Sequence, residues 1–226
     1  MKIVFLDYGR FRYATDTPYE EPLGGTESSI CYLSEELAKA GHDIFIVNAL
    51  DAAIKSRGVT CLPRKTMQGD LLRSADVIVV VNYAAGGAML RKLLGNRKLI
   101  ILWNGHAHDQ PAIAPLKDFY CRNAYDSIVL MSDWHRSCFV DKFAIEPNRC
   151  QIIPHAISPS FQDQFSGDCR ILSHKSPRCV LAYTSTPFRG LEQLLRMFPT
   201  IRTAIPGVTL RVYSSMKVYQ VPSEQD

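Results

Sequence analysis

Gly24 and Gly25 stand ahead of a stretch with helical period. A glycine pair there lets backbone N–H groups turn inward at the positive end of a helix, where a phosphate is favoured. This is not the dinucleotide fingerprint, because G-x-G-x-x-G is absent and the strand end at Asp7 lies 17 positions upstream. Taken alone the pair is equally a plain turn. A second group, His106-Ala107-His108-Asp109, follows directly on an apolar run. Residues just past strand C-termini line the crevice of an open α/β sheet, and Asp109 can orient an imidazole there or simply cap the loop. The H-x-H spacing also raises zinc hydrolysis. That pattern needs Asp two positions after the second His, whereas here Asp109 is adjacent and Gln110 follows. No D-x-D pair occurs, so the usual manganese–diphosphate clamp is missing and no metal or other cofactor is expected.

The elements that must position these residues are legible as periodicity. Apolar runs at 2–7, 43–47, 76–81, 98–103, 127–131, 151–154, 179–184 and 209–214 read as strands. Several are apolar on consecutive positions, as in parallel strands covered on both faces. Between them, 26–40 reads as a helix with Thr26 as N-cap, Gly41 past its end and a stripe of Ile30, Leu33, Leu37 and Ala40. Ser132 caps another helix, in which Trp134 is expected to pack, and 190–204 makes a further one. The alternation predicts an α/β class, a doubly wound, mostly parallel Rossmann-like sheet with right-handed crossovers. The rhythm breaks between Pro154 and Pro177, which gives a first domain over 1–155, a linker over 156–177 and a second domain starting at 178–226. One βαβ unit cannot bury both faces of a sheet, so the second domain is expected to be truncated; the alternative is one domain with an extended sheet.

Composition bounds the rest. Of 226 residues 46% are hydrophobic, which excludes a disordered chain, and no run reaches the length of a membrane span. Lys+Arg 26 against Asp+Glu 22 is too mild for nucleic acid but suits anionic ligands or a lipid headgroup surface. Seven cysteines without C-x-x-C spacing read as buried thiols in the cytoplasm. The helix with Met89, Leu90, Leu93 and Leu94 carries Arg91, Lys92, Arg97 and Lys98 around its apolar face, either a solvated surface or a peripheral membrane contact. Gly86-Gly87 ahead of it borders an acceptor cleft or makes a turn. The 8–23 loop holds Tyr8, Arg10, Phe11, Arg12, Tyr13 and Tyr19, aromatic and basic enough for a carbohydrate or polar-headgroup acceptor.

Combined, the motifs become specific. Pro22-Leu23-Gly24-Gly25 leads through a helix to Leu37-Ala38-Lys39-Ala40-Gly41-His42. Then come Ile101-Leu102-Trp103-Asn104-Gly105-His106, Val129-Leu130-Met131-Ser132 and Ile152-Ile153-Pro154-His155-Ala156-Ile157, followed by Pro187-Phe188-Arg189-Gly190. In this order the chain resembles GT-B glycosyltransferases of family 4, from the N-terminal domain into the start of the C-terminal one. His155 and Ala156 stand where that family has Asn and Gly, and Thr184 where many members carry a second basic residue.

The resemblance implies sugar transfer from a nucleotide-diphosphate donor to a glycan or lipid-linked acceptor, with retention and without metal, in polysaccharide biosynthesis. It places His106 at the donor phosphate and sugar, with His108 as the alternative and Asp109 beside them. Gly24, Gly25, Arg189 and Gly190 fall to the donor diphosphate, and Tyr8, Arg10 and Arg12 to the acceptor side. A guanidinium grips phosphate bidentately, and positioned donors stabilise the charge of a departing diphosphate. Two alternatives stay open: a sugar-nucleotide epimerase of the same architecture, and a non-catalytic domain that binds acceptor or partner.

Overall fold

The consecutive apolar runs become the middle of a sheet. In a computed structural model, residues 1–67, 69–164, 175, 178–222 and 224 are described. The chain divides into two compact units, Met1–Ile157 and Ser158–Asp226. Of the expected linker, 165–174, 176 and 177 lie outside the described residues. The first unit runs β1 (Lys2–Asp7), α1 (Thr17–Glu20), α2 (Gly25–Lys39), β2 (Asp43–Asn48), β3 (Ile54–Ser56), β4 (Val59–Pro63) and α3 (Gly69–Ser74). It continues with β5 (Val77–Val81), α4 (Ala85–Leu94), β6 (Leu99–Trp103), α5 (Phe119–Asn123), β7 (Ser127–Leu130), α6 (Asp133–Phe143) and β8 (Cys150–Ile152).

The strand order is β3-β4-β2-β1-β5-β6-β7-β8, parallel except for β3 against β4. The order reverses between β1 and β5, the switch point at which such sheets open a crevice beyond their carboxyl ends. Alternate side chains of β1 serve two cores. Val4 and Leu6 meet Leu90 and Phe139 on one face, while Ile3 and Phe5 meet Ile30 and Tyr13 on the other. The doubly wound α/β architecture is thus as the periodicity requires. The β3–β4 hairpin is an addition, turned by Arg57 and Gly58, both at positive φ.

Local expectations are corrected at three helices. Gly24, not Thr26, is the N-cap of α2; Leu33 is exposed, and the buried face carries Ile30, Cys31, Ser34 and Glu35. In α6, Ser132 caps by accepting the His135 N–H, yet Trp134 is 68% exposed and His135 packs in its place. In α4, Met89 and Leu93 face outward. No helix among the described residues is long and apolar enough to cross a membrane.

The second unit holds β9 (Val180–Tyr183), α7 (Leu191–Ala204) and β10 (Thr209–Val212), the two strands paired in parallel.

Candidate functional site

Beyond the carboxyl ends of β5, β6 and β7 lies a shallow, open hollow. Thr26 and Ser29 of α2, Asn82, Gly105, Met131 and His155 line it, with Val81 and Trp103 as its floor. Asn82 ties its walls together. It adopts a left-handed φ of 52°, which Asn tolerates better than other side chains. From there its Oδ1 accepts the Gly105 N–H at 2.7 Å and its Nδ2 reaches Thr26 Oγ1 at 3.4 Å. Asn82 was not singled out from the sequence, although an Asn directly past a strand end is the signal that marks it.

The Asn104–His106 loop is clamped from beneath. Asn104 is fully buried; its Nδ2 donates to the His106 carbonyl at 2.8 Å and its Oδ1 accepts the His106 N–H at 3.2 Å. His135, also buried, accepts the Met131 N–H on Nδ1 at 3.3 Å, which leaves the proton on Nε2 to donate to the same carbonyl at 2.9 Å. Burial lowers the pKa of His135, and the neighbouring His108 lowers it further against the contact to His106. Burial likewise lowers that of His106, whose half-buried imidazole is held neutral at pH 7. The Nδ1 of His108 is buried without a hydrogen-bond partner among the described residues, and Asp109 is exposed. Among the described residues no group of three or more His, Cys, Asp and Glu is placed to hold a metal ion.

The two glycines at the start of α2 separate in role. A Cβ on Gly24 would lie 2.3 Å from Glu27 Oε2, because the Glu27 carboxylate folds back over the helix N-terminus. Burial raises the Glu27 pKa, and the nearby Asp7 adds to the shift. Gly25 has nothing within 4 Å of its Cβ position and no positive φ. Neither packing nor backbone geometry requires glycine at 25, so its open face is free for a ligand to approach the first N–H groups of α2.

The expected acceptor-side residues are distributed unevenly. Tyr8 stacks on Tyr83 at 4.6 Å beneath the Arg64 guanidinium, while Arg12 pairs with Asp51 and Arg10 lies over Phe11. Tyr13 is buried and donates to the Asp7 carboxylate at 2.8 Å. Tyr19 donates to Glu35 at 2.7 Å under Arg57, 3.7 Å above its ring. These last two are structural. So are Gly86 and Gly87: a Cβ on Gly87 would lie 2.5 Å from the Tyr125 ring, whose hydroxyl accepts the Gly87 N–H at 2.8 Å.

In the second unit, Gly190 caps α7 at φ 100°, a backbone that favours glycine. Arg189 is exposed at this helix N-terminus, its N–H donating to Thr186 O at 3.0 Å and its Nη2 to Tyr219 Oη at 3.4 Å. Thr186 is only 7% exposed and its Oγ1 lacks a hydrogen-bond partner among the described residues; the buried Oγ of Ser214, just past β10, lacks one there too. These two hydroxyls and Tyr219 were missed in the sequence, where nothing distinguishes a hydroxyl that ends up orphaned.

No protein-family model matches the chain, and no curated protein matches it. Among solved structures, a glycosyltransferase from Rickettsia africae ESF-5 is similar with a TM-score of 0.57 at 10% identity, covering 97% of this chain and 70% of that one. An alpha-glucosyltransferase (AGT) in complex with UDP matches at a TM-score of 0.42 and 11% identity, over 98% of this chain and 62% of that one, too low to carry weight. The first likeness is one of fold: the chain shares the α/β fold of a glycosyltransferase.

Proposed function

We propose that the chain belongs to a retaining, metal-independent glycosyltransferase that moves a sugar from a nucleotide-diphosphate donor to a glycan or lipid-linked acceptor in the cytoplasm. The observation that carries this is the polar cradle past the ends of β9 and β10. There Arg189, Gly190 at the start of α7, and the hydroxyls of Thr186 and Ser214, without a partner among the described residues, offer a cation, helix N–H groups and hydroxyl donors. That set suits a diphosphate, and a buried hydroxyl without a partner costs about 1–3 kcal/mol until a ligand supplies one.

In this account Arg189 and Gly190 hold the donor diphosphate, and Gly24 and Gly25 offer N–H groups of α2 as a further anion-binding element of the first unit. The charge that develops on the departing diphosphate is where preorganised donors act most strongly. The neutral imidazole of His106, with His108 as the alternative and Asp109 beside them, is the candidate hydrogen-bonding group for the donor sugar. Tyr8, Arg10 and Arg12 receive the acceptor. The shared fold with a glycosyltransferase supports the assignment.

The test offers the chain a panel of nucleotide-sugars, with and without glycan and lipid-linked acceptors, and follows nucleoside-diphosphate release. Arg189→Ala is expected to weaken donor binding at least tenfold, the size of one lost charge-assisted bidentate contact. Unchanged donor affinity in Arg189→Ala, or release of an epimerised free sugar without acceptor, overturns the assignment.

A further inference from the structure

Residues 77–125 carry six Lys and Arg against two Asp. From 77 to 108 there is no acidic residue. That segment builds α4, α5 and the loops around them. The structure divides its cations into two kinds. Arg91 is consumed internally: it donates to the carbonyls of Ala124 and Lys98 and pairs with Asp126 at 2.6 Å. Lys98 is turned toward the Ala75 carbonyl at 2.8 Å. Lys92 and Arg97 remain exposed, with no hydrogen bond or ion pair among the described residues. Beside them Met89 (58% exposed) and Leu93 (53%) share the outer stripe of α4 with Lys92 through i, i+3 and i+4 spacing.

The neighbouring α5, which packs on α4, adds two aromatic rings to this layer. Phe119 and Tyr120 are 60% and 78% exposed, in edge contact with each other, and the Arg122 guanidinium lies over Phe119. Asp118, the carboxylate at this edge, accepts the Cys121 N–H as the α5 cap. An apolar stripe and an exposed aromatic pair, bordered by cations without counter-charges, is costly to leave in water. It matches the chemistry of a bilayer interface, where aromatic rings sit at headgroup level and cations meet phosphate.

We propose that the α4–α5 face of the first unit docks on an anionic lipid bilayer, with Phe119, Tyr120, Met89 and Leu93 entering the headgroup region and Lys92 and Arg97 on the lipid phosphates. The docking itself stands apart from sugar transfer. Only its consequence, that the acceptor is the lipid-linked one, rests on the function proposed above.

The experiment is co-sedimentation of the 226-residue chain with vesicles of phosphatidylcholine alone or mixed with phosphatidylglycerol, without any nucleotide-sugar. Binding is expected to the anionic vesicles only, and to fall away as salt shortens the screening length. Each interfacial cation contributes about fivefold to partitioning, so Lys92→Glu with Arg97→Glu is expected to reduce it more than 25-fold. Phe119→Ser with Tyr120→Ser is expected to reduce it at least tenfold at an unchanged melting temperature, since both rings are exposed. Equal binding to neutral vesicles, no binding, or indifference to either pair of substitutions overturns the proposal. So does a concentration-dependent dimer that the serine pair abolishes in a chain that never sediments with lipid. Because no donor is present, this outcome is read independently of whether sugar is transferred.

Discussion

His135→Gln tests the clamp beneath the His106 loop with a built-in sign. The glutamine keeps an N–H donor for the His106 carbonyl but removes the acceptor that Nδ1 offers to Met131 N–H. At pH 8 the loss is one neutral hydrogen bond, about 1 kcal/mol, or about 2–4 °C in melting temperature for a chain of this size. His135→Ala removes both contacts and leaves a gap against the Phe139 ring, now 4.6 Å away, for about 2–4 kcal/mol. Acid narrows the difference from glutamine. In the unfolded chain His135 titrates near 6.5, and burial lowers that value in the fold. The stability its neutral ring contributes is therefore complete above about pH 6.5 and drains as pH falls through the folded value. A proton on Nδ1 would also face the Met131 N–H, with His108 as the nearby titratable group and Phe139 the ring in edge contact. Glutamine carries no such liability. Thermal melts of wild type and His135→Gln from pH 8 to pH 5 are expected to show the wild-type advantage shrinking. A difference that stays constant with pH refutes the lowered pKa of the buried ring.

Other positions give simpler expectations. Gly25→Ala should raise stability by about 0.5–1 kcal/mol, because the site lies in a helix with open space around it, while weakening nucleoside-diphosphate binding; calorimetry and melts on the same protein check both. Gly87→Ala drives a methyl into the buried Tyr125 ring and should cost about 1–3 kcal/mol in urea unfolding. Tyr125→Phe leaves the Gly87 N–H without its acceptor, at a cost of about 1–3 kcal/mol. Burial alone would raise the Glu35 pKa, but Tyr19, Lys39 and Arg57 together lower it. The stability from this cluster is therefore present above the ordinary carboxylate range and lost as pH falls through the folded value. Urea midpoints between pH 6 and pH 3 should show that loss in wild type and not in Glu35→Gln.

The sheet was legible because parallel strands buried on both faces write themselves as consecutive apolar residues, as Val77–Val81 does. The β3–β4 hairpin was not, since three residues around Arg57-Gly58 carry too little pattern to register. Thr26 gave way to Gly24 as N-cap because Glu27 reaches back over a residue without a side chain. Trp134 and His135 exchanged roles because the buried position is decided by the His106 carbonyl opposite, which lies 29 residues away in sequence. The same applies to Asn82 and Thr186, whose importance rests on partners, present or missing, from other elements. Gly24-Gly25, His106 and Arg189 were visible as motifs, and the structure gives Gly24 a packing reason that spacing could not supply.

The most direct test of the central claim is a calorimetric comparison of nucleoside diphosphate with the corresponding monophosphate, on wild type and on Arg189→Ala. The account predicts that the diphosphate binds at least tenfold more tightly and that this preference disappears in the variant. Equal affinity for the two nucleotides, or a diphosphate preference that survives the loss of Arg189, contradicts it.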